Sequence, residues 1–91
     1  MLLTLGYVHL ELPGVASLKE RRAVLNSLKE YLKKHNLSLL DISGEYAREA
    51  DIAFAFLSHD GRGAEQYKAR IEAALEKYIG HLPYSVEYER F

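Results

Sequence analysis

The chain has 91 residues, 48 % of them apolar and 27 % charged, with a net charge of −1. That length allows one small domain (1–91) with a modest core, so added stability from an oligomer is expected. The absence of cysteine excludes a disulfide framework, a zinc finger and a thiol nucleophile; no apolar run approaches the ~20 residues of a membrane span, the N-terminus lacks the basic flank of a secretory signal, and the expected location is the cytoplasm.

Residues 2–12 alternate as a strand, with Gly6, Val8, Leu10 and Leu12 on one face and Leu5, Tyr7, His9 and Glu11 on the other. A glycine in mid-strand predicts that a helix or another backbone approaches closely at Gly6. Pro13-Gly14 ends the strand. Ser17 followed by Glu20 reads as a capping box that opens a helix running to about Lys34. Leu18, Leu25, Leu28 and Leu32 form its apolar face, with Val24 and Tyr31 at the margin. His35-Asn36 closes it, and Lys33 and Lys34 suit the negative end of the helix dipole.

Residues 37–43 and 51–58 are predicted strands. Their connection is too short for a helical crossover, so they form a hairpin. Gly61 and Gly63 precede a second helix over about 63–79, with Ala64, Tyr67, Ile71, Ala74, Leu75 and Tyr78 as its apolar positions. Gly80 fits the residue just past that helix and Pro83 forbids its continuation. Residues 84–91 alternate as a last strand. The order β-α-β-β-α-β with right-handed crossovers predicts a ferredoxin-like α+β sandwich: an antiparallel sheet in the order 4-1-3-2 with both helices on one face.

Val8-His9-Leu10-Glu11-Leu12, then Pro13-Gly14, then Ser17-Leu18-Lys19-Glu20-Arg21-Arg22 resemble the fingerprint of the YlxP-like family of small uncharacterised bacterial proteins. Leu57-Ser58-His59-Asp60 is similar too, although an Asn is common in that family where His59 stands. The resemblance spans essentially the whole chain. It implies a ferredoxin-like fold and an association with translation or ribosome maturation, and it supplies no activity or catalytic residue.

Between Ser17 and His35 stand six cations and two anions, a local charge of +4, which leaves −5 for the rest of a chain whose net charge is −1. At about 100° per residue, Lys19, Arg22, Asn26, Lys29 and Lys33 share one flank of the first helix. Such a stripe can follow the phosphates of RNA or of a ribosomal particle; the competing reading is a solvated face whose aliphatic stems cover the edge of the core. Arg21 projects near the centre of the apolar face, where a guanidinium must be paired. Glu45 and Glu49 of the hairpin are its expected partners, and an anion site made by Arg21, Arg22 and the start of the helix is the alternative.

Ala53-Phe54-Ala55-Phe56-Leu57 resembles the aromatic strand of RNA-recognition domains, on which bases stack. The basic-Gly opening of that motif is missing, so Phe54 and Phe56 are assigned to the core. The other sheet face then shows Leu3, Leu5, Tyr7, Leu39, Ala53, Ala55 and Leu57, a large apolar patch that predicts a homo-oligomer meeting sheet to sheet.

Enzyme chemistry finds little support. Ser58, His59 and Asp60 are adjacent in sequence and diverge in direction, so they cannot form a catalytic triad. His9, His35, His59 and His81 have no ligand spacing, and neither metal nor cofactor is expected. Acylphosphatases share this fold and use a Gly-rich loop after the first strand, where this chain has Pro13-Gly14-Val15-Ala16. The expected function is a non-enzymatic binding module that meets RNA or a ribosomal particle through Lys19, Arg21, Arg22, Lys29 and Lys33. The alternative is a structural or regulatory homodimer that binds a small anion or a protein partner.

Overall fold

A computed structural model describes residues 1–91. The alternation and helical periods of the sequence become β1 (Leu2–Glu11), α1 (Leu18–Lys34), β2 (Ser38–Asp41), β3 (Glu49–Ser58), α2 (Gly61–Ile79) and β4 (Tyr84–Arg90). The strands form one antiparallel sheet in the order β2-β3-β1-β4, the expected ferredoxin-like topology. β1 and β3 pair over their full length, from Leu2 opposite Ser58 to Glu11 opposite Glu49. Val8, Leu10, Ile52, Phe54 and Phe56 point from the sheet to Leu25, Leu28, Leu32, Ile71, Leu75 and Ile79 of the helices, and all are buried. Phe54 and Phe56 are 2 % and 3 % exposed, so neither ring is open for a base to stack on.

The close approach predicted at Gly6 is made by a side chain. Gly6 lies opposite Phe54 on one side and Tyr88 on the other. A Cβ on Gly6 would stand 2.1 Å from Phe54 Cζ. The missing side chain lets the Phe54 ring lie over β1 and meet Tyr88 edge-on, with centroids 6.1 Å apart.

Ser17 caps α1 as expected: its Oγ accepts from the Glu20 amide at 3.2 Å. The return arm of the box differs, since Glu20 Oε2 accepts from the Ala16 amide at 2.9 Å. Leu18 is 41 % exposed and is not a core anchor. Helical side chains lean toward the N-terminus, so a leucine in the first position of α1 overhangs the end of the core. α2 starts earlier than predicted, with Gly61 and Gly63 in its first turn and Asp60 as its cap, accepting from the Gly63 amide at 2.8 Å. Gly80 keeps a right-handed φ of −62°, so it is not a left-handed terminator; that conformation is found after α1, at Asn36 (φ 60°).

The short β2 corrects one assignment. Leu39 lies opposite the buried Phe54 and Leu40 opposite Ala53. Leu39 therefore packs on the core, and Leu40, 64 % exposed, takes its place on the open face. Gly6→Ala is expected to cost about 2 kcal/mol in urea unfolding, and Gly6→Ala with Phe54→Leu to cost less than the two single changes added together.

Candidate functional site

The predicted partners of Arg21 are replaced by others. Arg21 is 8 % exposed, and its Nη1 donates to the carbonyl oxygens of Gly44, Tyr46 and Glu49 at 2.9, 3.0 and 2.9 Å. The carboxylates of Glu45 and Glu49 are not used: both residues are exposed, and neither joins a side-chain ion pair. The reason is geometric. Backbone carbonyls converge where a hairpin loop turns over a helix end, and a guanidinium satisfies several acceptors that carry no net charge. This contact places the start of α1 and the β2–β3 loop at one end of the sandwich. It also removes Arg21 from any external anion site.

Lys29 leaves the stripe for a similar reason. Its ammonium donates to Asp41 Oδ2 at 2.5 Å, tying α1 to the end of β2. Burial alone would raise the Asp41 carboxyl, but the Lys29 ammonium and the hydroxyl and amide of Ser43 outweigh it and hold the group at about 2. Lys19, Arg22 and Lys33 stay exposed and outside the side-chain ion pairs. They lie on the flank of α1 that faces β2, whereas Tyr31 on the other flank meets Tyr78 of α2.

The sequence reading missed a second basic site at the opposite end of the sandwich. A broad recess of about 440 Å³ opens beside the start of α2, bordered by His59, Arg62, Gln66, Tyr67 and Arg70, with the cap residue Asp60 as the one carboxylate in its lining. A smaller one of about 170 Å³ adjoins it and shares Tyr67 and Arg70, adding Lys34, His35 and Asn36 from the end of α1. Arg62, Gln66 and Arg70 step i, i+4, i+8 along one exposed flank of α2. Arg62, Arg70 and Lys34 have no carboxylate partner within salt-bridge distance. The positive character comes from these side chains and not from the helix end, whose Gly63 amide already bonds Asp60.

Tyr67 makes the floor rigid. Its ring stacks on Phe56 with centroids 4.5 Å apart, and its hydroxyl donates to the His35 carbonyl at 2.5 Å, satisfying an acceptor left free at the end of α1. His35 stacks on Tyr31 at 4.1 Å. Two helix ends are thus locked together beneath the cations. The i, i+4, i+8 spacing of Arg62, Gln66 and Arg70 was the available sequence signal.

Ser58 and Asp60 hold structural positions: the Ser58 hydroxyl donates to the Asp60 carbonyl, and the Asp60 carboxylate caps α2. No group of three or more His, Asp or Glu converges as a metal site. No helix is long and apolar enough to cross a membrane.

The strand order and the two helices on one face define the class as ferredoxin-like, and solved structures agree. The de novo designed protein Foldit4 is similar with a TM-score of 0.57 at 11 % identity, over 97 % of this chain and 94 % of that one. SnoaB, a cofactor-independent oxygenase from Streptomyces nogalater, is similar with a TM-score of 0.56 at 11 % identity, over 98 % and 90 % of the chains. A dimeric ferredoxin-like protein from an uncultured marine organism is similar with a TM-score of 0.51 at 12 % identity, over 98 % and 92 %. At these identities the likeness concerns the fold alone. A family model described as a protein of unknown function (DUF503) matches residues 3–86, and the chain belongs to that family. The YlxP-like resemblance is thereby supported at the coarser level of a family of uncharacterised small proteins. No curated protein matches the chain.

Replacing Arg21 with Met strands three carbonyls, two in the loop and one at the start of β3, and is expected to cost about 3 kcal/mol, read by urea unfolding, with faster amide exchange across residues 44–49. The Lys29–Asp41 pair sets an acid limit. A carboxyl lowered from 3.8 to about 2 contributes stability that is complete above the ordinary value and lost as the pH falls through the lowered one. The gap in thermal midpoint between the wild type and Lys29→Met is therefore expected to hold from neutral pH to about 4 and to shrink between about 4 and about 2.

Proposed function

We propose that this protein is a non-catalytic module that binds the phosphate backbone of RNA on its helical side, with Arg62 and Arg70 at the centre of the contact and Lys34 extending it. The observation that carries the reading is the pair of adjoining recesses: Arg62 and Arg70 border the larger and Lys34 and Arg70 the smaller, none of them with a carboxylate within salt-bridge distance. Uncompensated cations on a rigid floor favour a polyanion, and their number sets the salt dependence of its binding. The resemblance to the YlxP-like family, with its implied tie to translation, favours RNA of the kind a ribosomal particle presents.

The contact differs from the one the sequence alone favours. Arg21 and Lys29 are engaged internally, so the flank of α1 retains Lys19, Arg22 and Lys33 as an outer, weaker track. The shallow recess offers phosphate contacts and no enclosed pocket in which to bury a small substrate, which favours binding over catalysis.

The test is fluorescence anisotropy with a single-stranded RNA oligonucleotide across a salt series. Three to four phosphate contacts are expected to lower affinity about 30-fold between 50 and 200 mM salt. Arg62→Glu with Arg70→Glu is expected to abolish binding, whereas Lys29→Gln changes it less than about twofold. Absence of binding at low salt, or loss on Lys29→Gln equal to the loss on the arginine pair, would overturn the reading.

A further inference from the structure

The uncovered face of the sheet has a composition unlike the rest of the molecule. Cross-strand partners share a face, so the register places Leu3, Leu5 and Tyr7 of β1 beside Leu57, Ala55 and Ala53 of β3, and Leu40 beside Ala53 on the far side. The two alanines make a low floor along β3. Leu5 and Tyr7 wall one side of it and Leu40 the other, with Ile42 near one end and Leu57 at the opposite end. Tyr7, Leu40 and Leu57 are 39 %, 64 % and 59 % exposed. An apolar trough of this kind on a soluble domain marks an interaction surface.

The charge around the trough is predominantly negative, with Arg48 beside Glu11 and Glu49 at one end as the exception. Glu87 and Glu89 of β4 stand beside Tyr7 and Leu5, and Glu11 and Glu49 face each other at one end. None of these four joins a side-chain ion pair. Asp51 holds His9 at 2.7 Å. No Lys or Arg stands at any open-face position of the four strands: β1 and β3 carry none at all, β2 carries none, and Arg90, opposite the buried Thr4, turns to Glu65 of α2.

We infer that this face docks a basic amphipathic segment of another protein, one whose apolar seam lies in the β3 trough and whose Lys or Arg side chains meet Glu87 and Glu89. Charge complementarity selects this occupant. A second copy meeting sheet to sheet across a two-fold axis presents the same surface to itself, so Glu87, Glu89 and the other carboxylates of both copies enter one interface with only Arg48, at its end, to answer them, which repels. RNA and anionic lipid are repelled by the same rim. The site lies on the side opposite Arg62 and Arg70 and does not depend on the RNA-binding reading.

The experiment is a methyl NMR titration of the intact chain with two synthetic amphipathic peptides that share a leucine seam, one flanked by lysines and the other by glutamates. The lysine peptide is expected to shift the methyls of Leu3, Leu40 and Leu57, with affinity falling about tenfold from 50 to 300 mM salt. The glutamate peptide is expected not to bind. Glu87→Lys with Glu89→Lys, two exposed substitutions, reverses the preference between the peptides, and Leu57→Asp weakens lysine-peptide binding about tenfold. The inference is overturned if neither peptide binds, if both bind equally, or if the shifts fall on α2. It is overturned as well if sedimentation finds a dimer that Leu57→Asp dissociates, because the occupant is then a second copy.

Discussion

A four-stranded sheet with only two helices to cover it is the constraint on which the rest of this structure depends. Right-handed crossovers send α1 and α2 to the same face, so one side of every strand enters the core and the other faces solvent. The period-2 pattern of β1 and β3 follows directly: Val8, Leu10, Ile52, Phe54 and Phe56 face inward, and Tyr7, His9, Asp51 and Leu57 do not. Charge follows the same division. Lysine and arginine gather on the helices and leave the open sheet face to carboxylates. A near-neutral total of −1 therefore describes a polarised domain.

Within that frame, pairing decides which cations can meet a ligand. Arg21 looks from the sequence like part of a basic cluster with Lys19 and Arg22, yet its guanidinium closes a loop on three carbonyls. Lys29 fits the stripe by helical angle, yet Asp41 holds it. Both join α1 to the β2–β3 hairpin, so the flank of α1 beside that hairpin is in part a structural seam. Arg62 and Arg70 belong to a helix whose four cations are nearly balanced by three anions, and neither arginine lies within salt-bridge distance of a carboxylate, while Glu65 is engaged by Lys68 and Arg90. Charge density along the chain is thus a poor guide to available charge, which depends on tertiary contacts.

The same distinction explains what could be read before the structure. Element types and strand order were legible because they rest on local periodicity and on turn residues such as Pro13-Gly14. The inward position of Phe54 and Phe56 was the favoured reading of an alternating β3, but alternation alone left open which face the helices cover. The face of β2 was not: Ser38-Leu39-Leu40-Asp41 has adjacent leucines and no alternation, and a one-residue slip exchanges the faces. The exposure of Leu18 escaped a helical projection because projection ignores where the helix overruns the core. The smaller recess escaped because it is assembled from the end of α1 and the middle of α2, with Asn36 and Tyr67 far apart in sequence.

Magnitudes limit how either candidate surface can work alone. An exposed cation meeting an exposed phosphate contributes on the order of 1 kcal/mol, so the few unpaired cations at the recess reach only about 4 kcal/mol, near millimolar affinity. The apolar trough is also open and shallow, and much of what it gains on docking is offset by the lost freedom of the partner. Tyr67 and Arg21 keep the helix ends and the hairpin fixed relative to the sheet, so the two surfaces sit on one rigid body. A target that offers phosphate to one side and a basic apolar segment to the other makes the second contact intramolecular, and the two weak contacts then combine with an effective concentration set by the domain itself. If both proposed surfaces are used, tight association would accordingly be a property of composite targets, with isolated RNA or an isolated peptide each bound weakly and in a salt-dependent way.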